Sequence, residues 1–425
     1  MNRLQFFSPK FIIYLLSVII AVMLSVAKAF AVTQQHLLIL PTETVSLVHS
    51  LGRVLREPVY ADRDFPPFNR VSMDGIGIAF ATYASGQRTF PIAGQQFAGQ
   101  PQQTLTDTTT CLEVMTGAIL PAGIDTVVRY EDIRVSNGQA TITIDDVTLG
   151  QHIHTQAVDR RAGDELLPVG TLLTPSAIAV AASVGKSAVV VSALPRVALI
   201  STGDELVDVG DTPLPHQIRR SNTYMLRAAL TSLGISATLH HIVDDEHQLQ
   251  TAIQGLLAAN DVLILSGGVS AGKADFVPDV LVSLGIQKHF HKIEQRPGKP
   301  LWFGTSSDDT AYPNRTVFAL PGNPVSTVLC AYRYVIPYLR ASLGLAPAPE
   351  RYAQLAQSVV FKPAITYFLP VRLTSEPDGR TLAHPLPGSG SADFANLLAA
   401  DGFMELPADR SEFGAGESFQ VWPTH

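Results

Sequence analysis

The sequence predicts a multidomain α/β protein with a central parallel sheet, a β-rich insertion and a small strand-rich C-terminal domain. Three observations carry that expectation. The chain is 425 residues long, more than one hydrophobic core usually supports. Apolar runs at 197–200, 262–265 and 317–320 each end in a loop of small residues, as the buried strands of a parallel sheet do. From 62 to 164 the segments are instead short, rich in Thr, Val and Ile, and broken by Gly, Pro and turn pairs such as Asn137-Gly138, the texture of an inserted β-domain.

At the N-terminus, Lys10 precedes an apolar run over 11–27 that ends in Ala27-Lys28-Ala29, the outline of a signal peptide with its small-residue cleavage site. The run contains Ser17 and Ser25 and is short against the roughly 20 residues of a membrane span. Met23 opens a second segment in which Ser25 reads as a helix N-cap. Residues 1–22 are therefore read as an extension of the reading frame or a signal-like segment, and no membrane anchorage is expected. Val45, Leu47, Val48, Leu51 and Leu55 stand at near-helical spacing, which predicts a helix over 41–61. That helix and a further helix candidate with short strands over 166–191 assign 23–61 and 165–192 to a helical and linker domain.

Beyond Pro195 strands and helices alternate: strand 197–200, helix 222–233 closed by Gly234, strand 237–243, helix 246–259, strand 262–265, helix 276–284 closed by Gly285. Such alternation implies a parallel sheet over 193–345. After a helix over 325–343, Ala346-Pro347-Ala348-Pro349 reads as a linker into the last domain, 346–425.

Composition narrows the partners. Hydrophobic residues make up 46% of the chain and the formal net charge is −7, which argues against a nucleic-acid partner. The only cysteines, Cys111 and Cys330, lie far apart; they offer no disulfide framework or cysteine-rich metal site and suit a reducing compartment.

The site is expected beyond the carboxyl ends of the sheet strands. There Ser201-Thr202-Gly203-Asp204-Glu205, Ser266-Gly267-Gly268-Val269-Ser270-Ala271-Gly272 and Pro321-Gly322-Asn323-Pro324 bring backbone N–H groups close to an anion. Lys292, Arg296 and Lys299 cluster about Pro297-Gly298, where arginine gives bidentate contacts and lysine a point charge; a solvated basic loop is the plainer alternative. Asp275 follows the glycine loop and reads equally as an N-cap or as a ligand to a metal. Glu205 and Asp204 pose the same choice. Met115 and Thr116 read as turn formers, and Asn323 as the residue that ties its turn through side-chain bonds to backbone. No G-x-G-x-x-G follows a strand and opens a helix, which disfavours a dinucleotide dehydrogenase.

Pro66-Pro67-Phe68 with Ser72-Met73-Asp74-Gly75, Met115-Thr116-Gly117-Ala118 with Pro121-Ala122-Gly123-Ile124-Asp125, the 201–206 motif, 266–272 with Asp275, Arg296-Pro297-Gly298-Lys299-Pro300 and 320–324 occur in this order. Together they resemble the molybdopterin molybdenumtransferase (MoeA) family, from Met23 to the C-terminus. The resemblance implies insertion of molybdenum from molybdate into adenylylated molybdopterin with release of AMP, assisted by Mg2+, in a cytoplasmic homodimer with a C-terminal β-barrel. It implies Asp74, Glu205 and Asp275 as catalytic residues, the last two also as metal ligands, with Asp74 reaching the site across the dimer interface. It implies a molybdopterin and molybdate pocket formed by Ser201, Thr202, Gly203, Ser266, Gly267, Gly268, Ser270, Asn222, Lys292, Arg296, Lys299 and Ser391, to which Arg220, a departure from the family pattern, is added for its own charge. A molybdopterin adenylyltransferase is the implied upstream partner.

Asp159 aligns with a further acidic position of the family. The chain also departs from the pattern. Asn69-Arg70 stands where the family commonly has Asp-Asn, Arg220 where an aspartate precedes Ser-Asn, Lys273 at an often acidic position, and His154-Thr155-Gln156 in place of an arginine-rich stretch. Arg220 can then reach a phosphate that an aspartate would hold through a cation, which lowers the metal requirement, or the losses abolish activity. A molybdopterin adenylyltransferase and a non-catalytic molybdopterin-binding scaffold are the alternatives; Ser-Gly-Gly-Val-Ser in place of Gly-Gly-Thr-Gly counts against the first, and the retained carboxylates against the second.

Overall fold

A computed structural model describes residues 23–269, 276–386, 390, 393 and 395–424. The chain divides into two compact units, one of Met1–Thr44, Gly52–Arg56 and Val190–His425, the other of Val45–Leu51 and Glu57–Val189.

The first unit begins with α1 (Val26–Gln35), whose N-cap is Ser25: its hydroxyl accepts the Lys28 N–H at 3.4 Å. The sheet that follows alternates with helices: β1 (Val197–Thr202), α2 (Asn222–Thr231), β2 (Ala237–Ile242), α3 (Glu246–Ala259), β3 (Val262–Ser266), α4 (Val277–Ser283), β4 (Ile286–His291), β5 (Gln295–Arg296), β6 (Trp302–Ser306) and β7 (Thr316–Leu320). Asp245 caps α3, accepting the Gln248 N–H at 2.8 Å. Six strands lie in the order β2-β1-β3-β7-β6-β4. Side chains of successive residues enter different cores, as the pleat requires. Leu199, Ile264 and Phe318 pack on one face, and Ala198, Leu263 and Val317 on the other.

The sheet is parallel only across β2, β1, β3 and β7; β6 and β4 run antiparallel at one edge. Parallel neighbours need a long crossover, whereas antiparallel ones can be joined by short loops. The stretch from 286 to 316 carries no crossover helix. The single helix expected over 325–343 is also interrupted: α5 (Pro324–Cys330) passes through a π-turn, Ala331–Val335, into α6 (Ile336–Ser342). Pro337 lacks an N–H and its ring clashes with the preceding turn, which a π-bulge relieves.

The C-terminal part is a closed five-stranded barrel made of β8 (Arg351–Leu355), β9 (Thr366–Ser375), β10 (Thr381–Pro385), β11 (Gly402–Leu406) and β12 (Ser418–Pro423), in the order β9-β10-β8-β12-β11 with β11 returning to β9. It is filled by Leu355, Val371, Met404, Phe413 and Val421. β5 pairs in parallel with the start of β9, Arg296 opposite Tyr367, and so fastens the barrel to the α/β layer.

The second unit is built on another six-stranded sheet, in the order Thr126–Arg129, Gly75–Ile78, Cys111–Val114, Thr89–Gln96, Gln139–Ile142, Ile133–Ser136. Asn137 and Gly138, at φ +50° and +72°, join its last two strands, the left-handed pair that a two-residue hairpin needs. No helix spans 41–61. That stretch holds strand Thr42–Ser46, a 3-10 turn Leu47–His49 and strand Val59–Tyr60. Leu47 and Leu55 are buried while Val48 is 82% and Leu51 63% exposed, so the residues at helical spacing do not share one buried face, and β-branched Thr42, Thr44 and Val45 favour extension. Among the described residues no helix is long and apolar enough to cross a membrane.

Candidate functional site

A cavity of about 1150 Å³ lies within the first unit, above the carboxyl ends of β1, β3 and β7. Its floor consists of the three small-residue loops. β1 ends in Ser201, Thr202 and Gly203. The Ser201 hydroxyl is turned to the neighbouring strand, 3.3 Å from the His240 carbonyl and 3.1 Å from His241 Nδ1. The Thr202 hydroxyl is buried with no partner among the described residues. After β3, Gly267 and Gly268 have φ of +106° and +68°, and a Cβ on either would stand 2.9 Å from Thr202 Oγ1. Only glycine lets these loops close on each other, and the Gly267 N–H then donates to the Leu320 carbonyl at 3.2 Å, tying the loop to the end of β7.

Asn222, the first residue of α2, ties the floor together. Its Nδ2 donates to Ser266 Oγ at 2.9 Å and to the Gly322 carbonyl at 2.7 Å, linking the helix to the loops after β3 and β7. At the third loop Thr327 closes the turn, its hydroxyl donating to the carbonyls of Pro321 at 2.7 Å and Asn323 at 3.1 Å. The Asn323 carbonyl is thus part of that turn.

Glu205 lines the cavity, its carboxylate folded over Gly203, where a Cβ would lie 2.5 Å from Oε2. Asp204 instead accepts the Asp244 N–H at 3.1 Å. Asp244, two residues past the end of β2, also lines the cavity, a position that the strand-end rule covers and the sequence reading passed over. Arg296 and Lys299 line the same space. Their turn is shaped by Gln295, 1% exposed, whose Nε2 donates to the carbonyls of Pro297 and Gly298 at 3.2 Å each, while its Oε1 accepts the Tyr334 hydroxyl at 2.5 Å.

Lys292 is not brought to the cavity lining. It sits at φ +87°, its N–H bonded to the Leu301 carbonyl at 3.1 Å and its carbonyl taking the Leu24 N–H at 3.3 Å. Its backbone serves the turn between β4 and β5 and the docking of Leu24, just before α1.

Arg220 lines the cavity, but its guanidinium is engaged: Nη2 donates to Asp208 at 2.5 Å, and Tyr224 donates to the same carboxylate at 3.1 Å. The Arg220 bond, helped by the Val209 N–H, holds the Asp208 carboxyl below its usual range. The expected gain of positive charge is therefore largely offset by Asp208. Asp275, Ser270, Ser391 and Lys273 lie outside the described residues.

In the second unit Asp74 accepts two bonds from Thr116, from N–H and hydroxyl at 2.7 Å each, which keep its carboxyl below the usual range. Thr116 is thus a turn former. The departures from the family pattern meet each other in this unit. His154 pairs with Arg70 in strand register, its Nδ1 accepting from Arg70 at 3.1 Å while Nε2 stands 3.6 Å from Asp159. Asn69 Oδ1 takes the Gln156 N–H at 2.8 Å.

Residues 24–185 match the MoeA N-terminal region (domain I and II), 198–341 the "Probable molybdopterin binding domain" and 352–424 the MoeA C-terminal region (domain IV). A Synechocystis sp. protein named molybdopterin molybdenumtransferase is 41% identical over 402 residues, 94% of this chain and 100% of its own length. The chain belongs to the MoeA family. A protein of the same name from Synechococcus elongatus is 34% identical over 90% of this chain and 94% of its own. The crystal structure of the molybdopterin biosynthesis MoeA protein from Pyrococcus horikosii superposes with a TM-score of 0.78 at 28% identity, covering 95% of this chain and 99% of that one.

Membership in the MoeA family directs attention to charge. Mg2+ is usually held by one or two carboxylates with the remaining ligands from water and substrate phosphates. Glu205 and Asp244 are carboxylates on the cavity wall, and no cluster of three His, Cys, Asp or Glu groups occurs among the described residues. Glu205 and Asp244 are donors of the kind such a cation takes.

Proposed function

We propose that this chain transfers molybdenum to molybdopterin, as the name of its relatives denotes, taking it from molybdate into the adenylylated pterin with release of AMP. One observation carries the reading: the cavity joins glycine loops, the cations Arg296 and Lys299 and the carboxylates Glu205 and Asp244 in one space, and four of its lining residues hold buried polar atoms without partners among the described residues, namely Thr202 Oγ1, Arg220 Nε, Asn222 Oδ1 and Thr223 Oγ1. Unpaired buried polar groups are costly, and a ligand rich in oxygen satisfies them.

In this reading Arg296 and Lys299, beside the loops about Thr202 and Gly268, receive the oxyanions of the substrate phosphates and of molybdate as bidentate and point-charge partners. Glu205 would hold Mg2+ together with Asp275, which lies outside the described residues, and the cation would supply charge neutralisation at the phosphoanhydride. Gln295 keeps the Arg296 turn rigid, and Asn222 fixes the spacing of the loops, so that substrate meets a preformed pocket. Asp74, held ionised by Thr116, completes the site from a second copy in a cytoplasmic homodimer, and an adenylyltransferase supplies the substrate. The full chain incubated with adenylylated molybdopterin, molybdate and Mg2+ is expected to release AMP in step with molybdenum incorporation; tight pterin binding without either product would leave a scaffold and overturn the assignment.

A further inference from the structure

The wall facing the glycine loops is of different chemistry. It comes from the barrel and carries Phe361, Ile365, Tyr367, Pro370 and Leu386. Phe361 and Tyr367 lie parallel, ring centroids 4.2 Å apart and planes 9° from each other. Both are half-buried against the barrel core. Tyr367 is fixed beside the cations by register, since β5 sets Arg296 opposite it. The cavity, about 1150 Å³, is far larger than a tetrahedral oxyanion needs and exceeds the usual range for a drug-sized ligand.

Two rings stacked on each other leave an outer ring face, and such a face beside an arginine, in a cavity that also holds polar loops, suits a ligand with an anionic end and a planar ring. We infer that the stacked pair Phe361 and Tyr367 offers its outer face as a stacking platform for the planar, nitrogen-rich heteroaromatic ring of a phosphate-bearing ligand, with Arg296 holding that ligand's anionic group. Ring stacking of this kind tolerates different heterocycles because each presents a π-face. The inference rests on the proposed function for the presence of such a ligand, and the ring is either the pterin or the adenine of the substrate.

Binding of AMP, molybdopterin and ribose 5-phosphate to the full-length protein by calorimetry tests it. Replacing Tyr367→Leu is expected to weaken the ring-bearing probe roughly five- to hundredfold, the range that stacking supplies, and to leave ribose 5-phosphate unchanged; Tyr367→Phe is expected to bind as the parent does. Weakening confined to AMP assigns the platform to adenine, and weakening confined to molybdopterin assigns it to the pterin. Because Tyr367 also packs on the barrel, Phe361→Leu serves as the second variant. Unchanged binding of both ring-bearing probes in both variants, or equal loss of ribose 5-phosphate, overturns the platform. A parent protein that shows the stacking effect but inserts no molybdenum overturns the functional reading alone.

Discussion

Arg220 and Asp208 form an ion pair, 2.5 Å between Nη2 and Oδ2, at the rim of the cavity above the sheet. The pair is a local neutralisation: a cation occupies the position before Ser221-Asn222, and a carboxylate twelve residues earlier takes up its charge. Asp208→Asn should therefore release the guanidinium for anions and tighten AMP binding severalfold at low salt, an effect that added salt screens away. Arg220→Asp would set two carboxylates against each other and should lower the melting temperature and steepen the dependence of activity on Mg2+. A titration with an unchanged Mg2+ response would sink the view that Arg220 stands in for a cation.

Asn222 bridges Ser266 and the Gly322 carbonyl, so Asn222→Ala removes two bonds that set the spacing of two loops. The cost to folding should be about 1–3 kcal/mol, read from urea unfolding. The loss in kcat/KM should exceed tenfold, because loop misplacement acts on geometry beyond stability. Asn222→Asp, which keeps the shape but removes the donor, should behave like the alanine variant.

His289 stacks on His36 with centroids 3.7 Å apart and contacts Thr305 Oγ1 at 2.7 Å. Burial first, and His36 second, push its pKa down from 6.5 to about 4. Between those values the unfolded chain binds a proton that the folded chain does not, so stability is present above pH 6.5 and falls as the pH drops toward 4. After the discount that partial exposure requires, this amounts to about 1–2 kcal/mol. Unfolding curves at intervals across that window should show a shallower slope for His289→Gln; an identical slope would remove His289 as the cause.

Arg333, 5% exposed on the π-turn, donates to Glu405 at 3.1 Å and lies 4.1 Å over the Trp422 ring and 4.7 Å over Phe30. Trp422 Nε1 donates to the same Glu405 oxygen at 2.7 Å. Glu405→Gln keeps an acceptor for Trp422 but leaves a buried cation uncompensated, and should destabilise by about 3–5 kcal/mol. The paired change Arg333→Met with Glu405→Gln should recover much of that loss, because replacing both charges removes the unpaired one. Guanidinium unfolding of the two variants checks the difference.

Local order was largely written in neighbouring residues. The strands ending in Thr202, Ser266 and Leu320, the helix Glu246–Ala259 with its Asp245 cap, the Ser25 cap and the Asn137-Gly138 hairpin follow from periodicity and turn chemistry acting over a few positions. So does the location of the cavity, because ligand crevices lie beyond the carboxyl ends of parallel strands. Over 41–61 the same spacing misled, because only some of its apolar residues meet a core; and the turn at Ala331–Val335 arose from a single Pro337 inside an otherwise helical pattern.

What tertiary structure alone decided are the pairings between distant residues. Asp208 against Arg220, Asn222 against Gly322, Gln295 against Tyr334, Arg70 against His154, and Tyr367 beside Arg296 have no signature in local spacing. Each depends on which strand ends and loops the packed core brings together, and on which charges then find a partner. Sequence by itself determined where loops of small residues would line a cavity able to take a ligand. Only the folded chain, through desolvation and long-range contact, decided which side chains remain available to hold it.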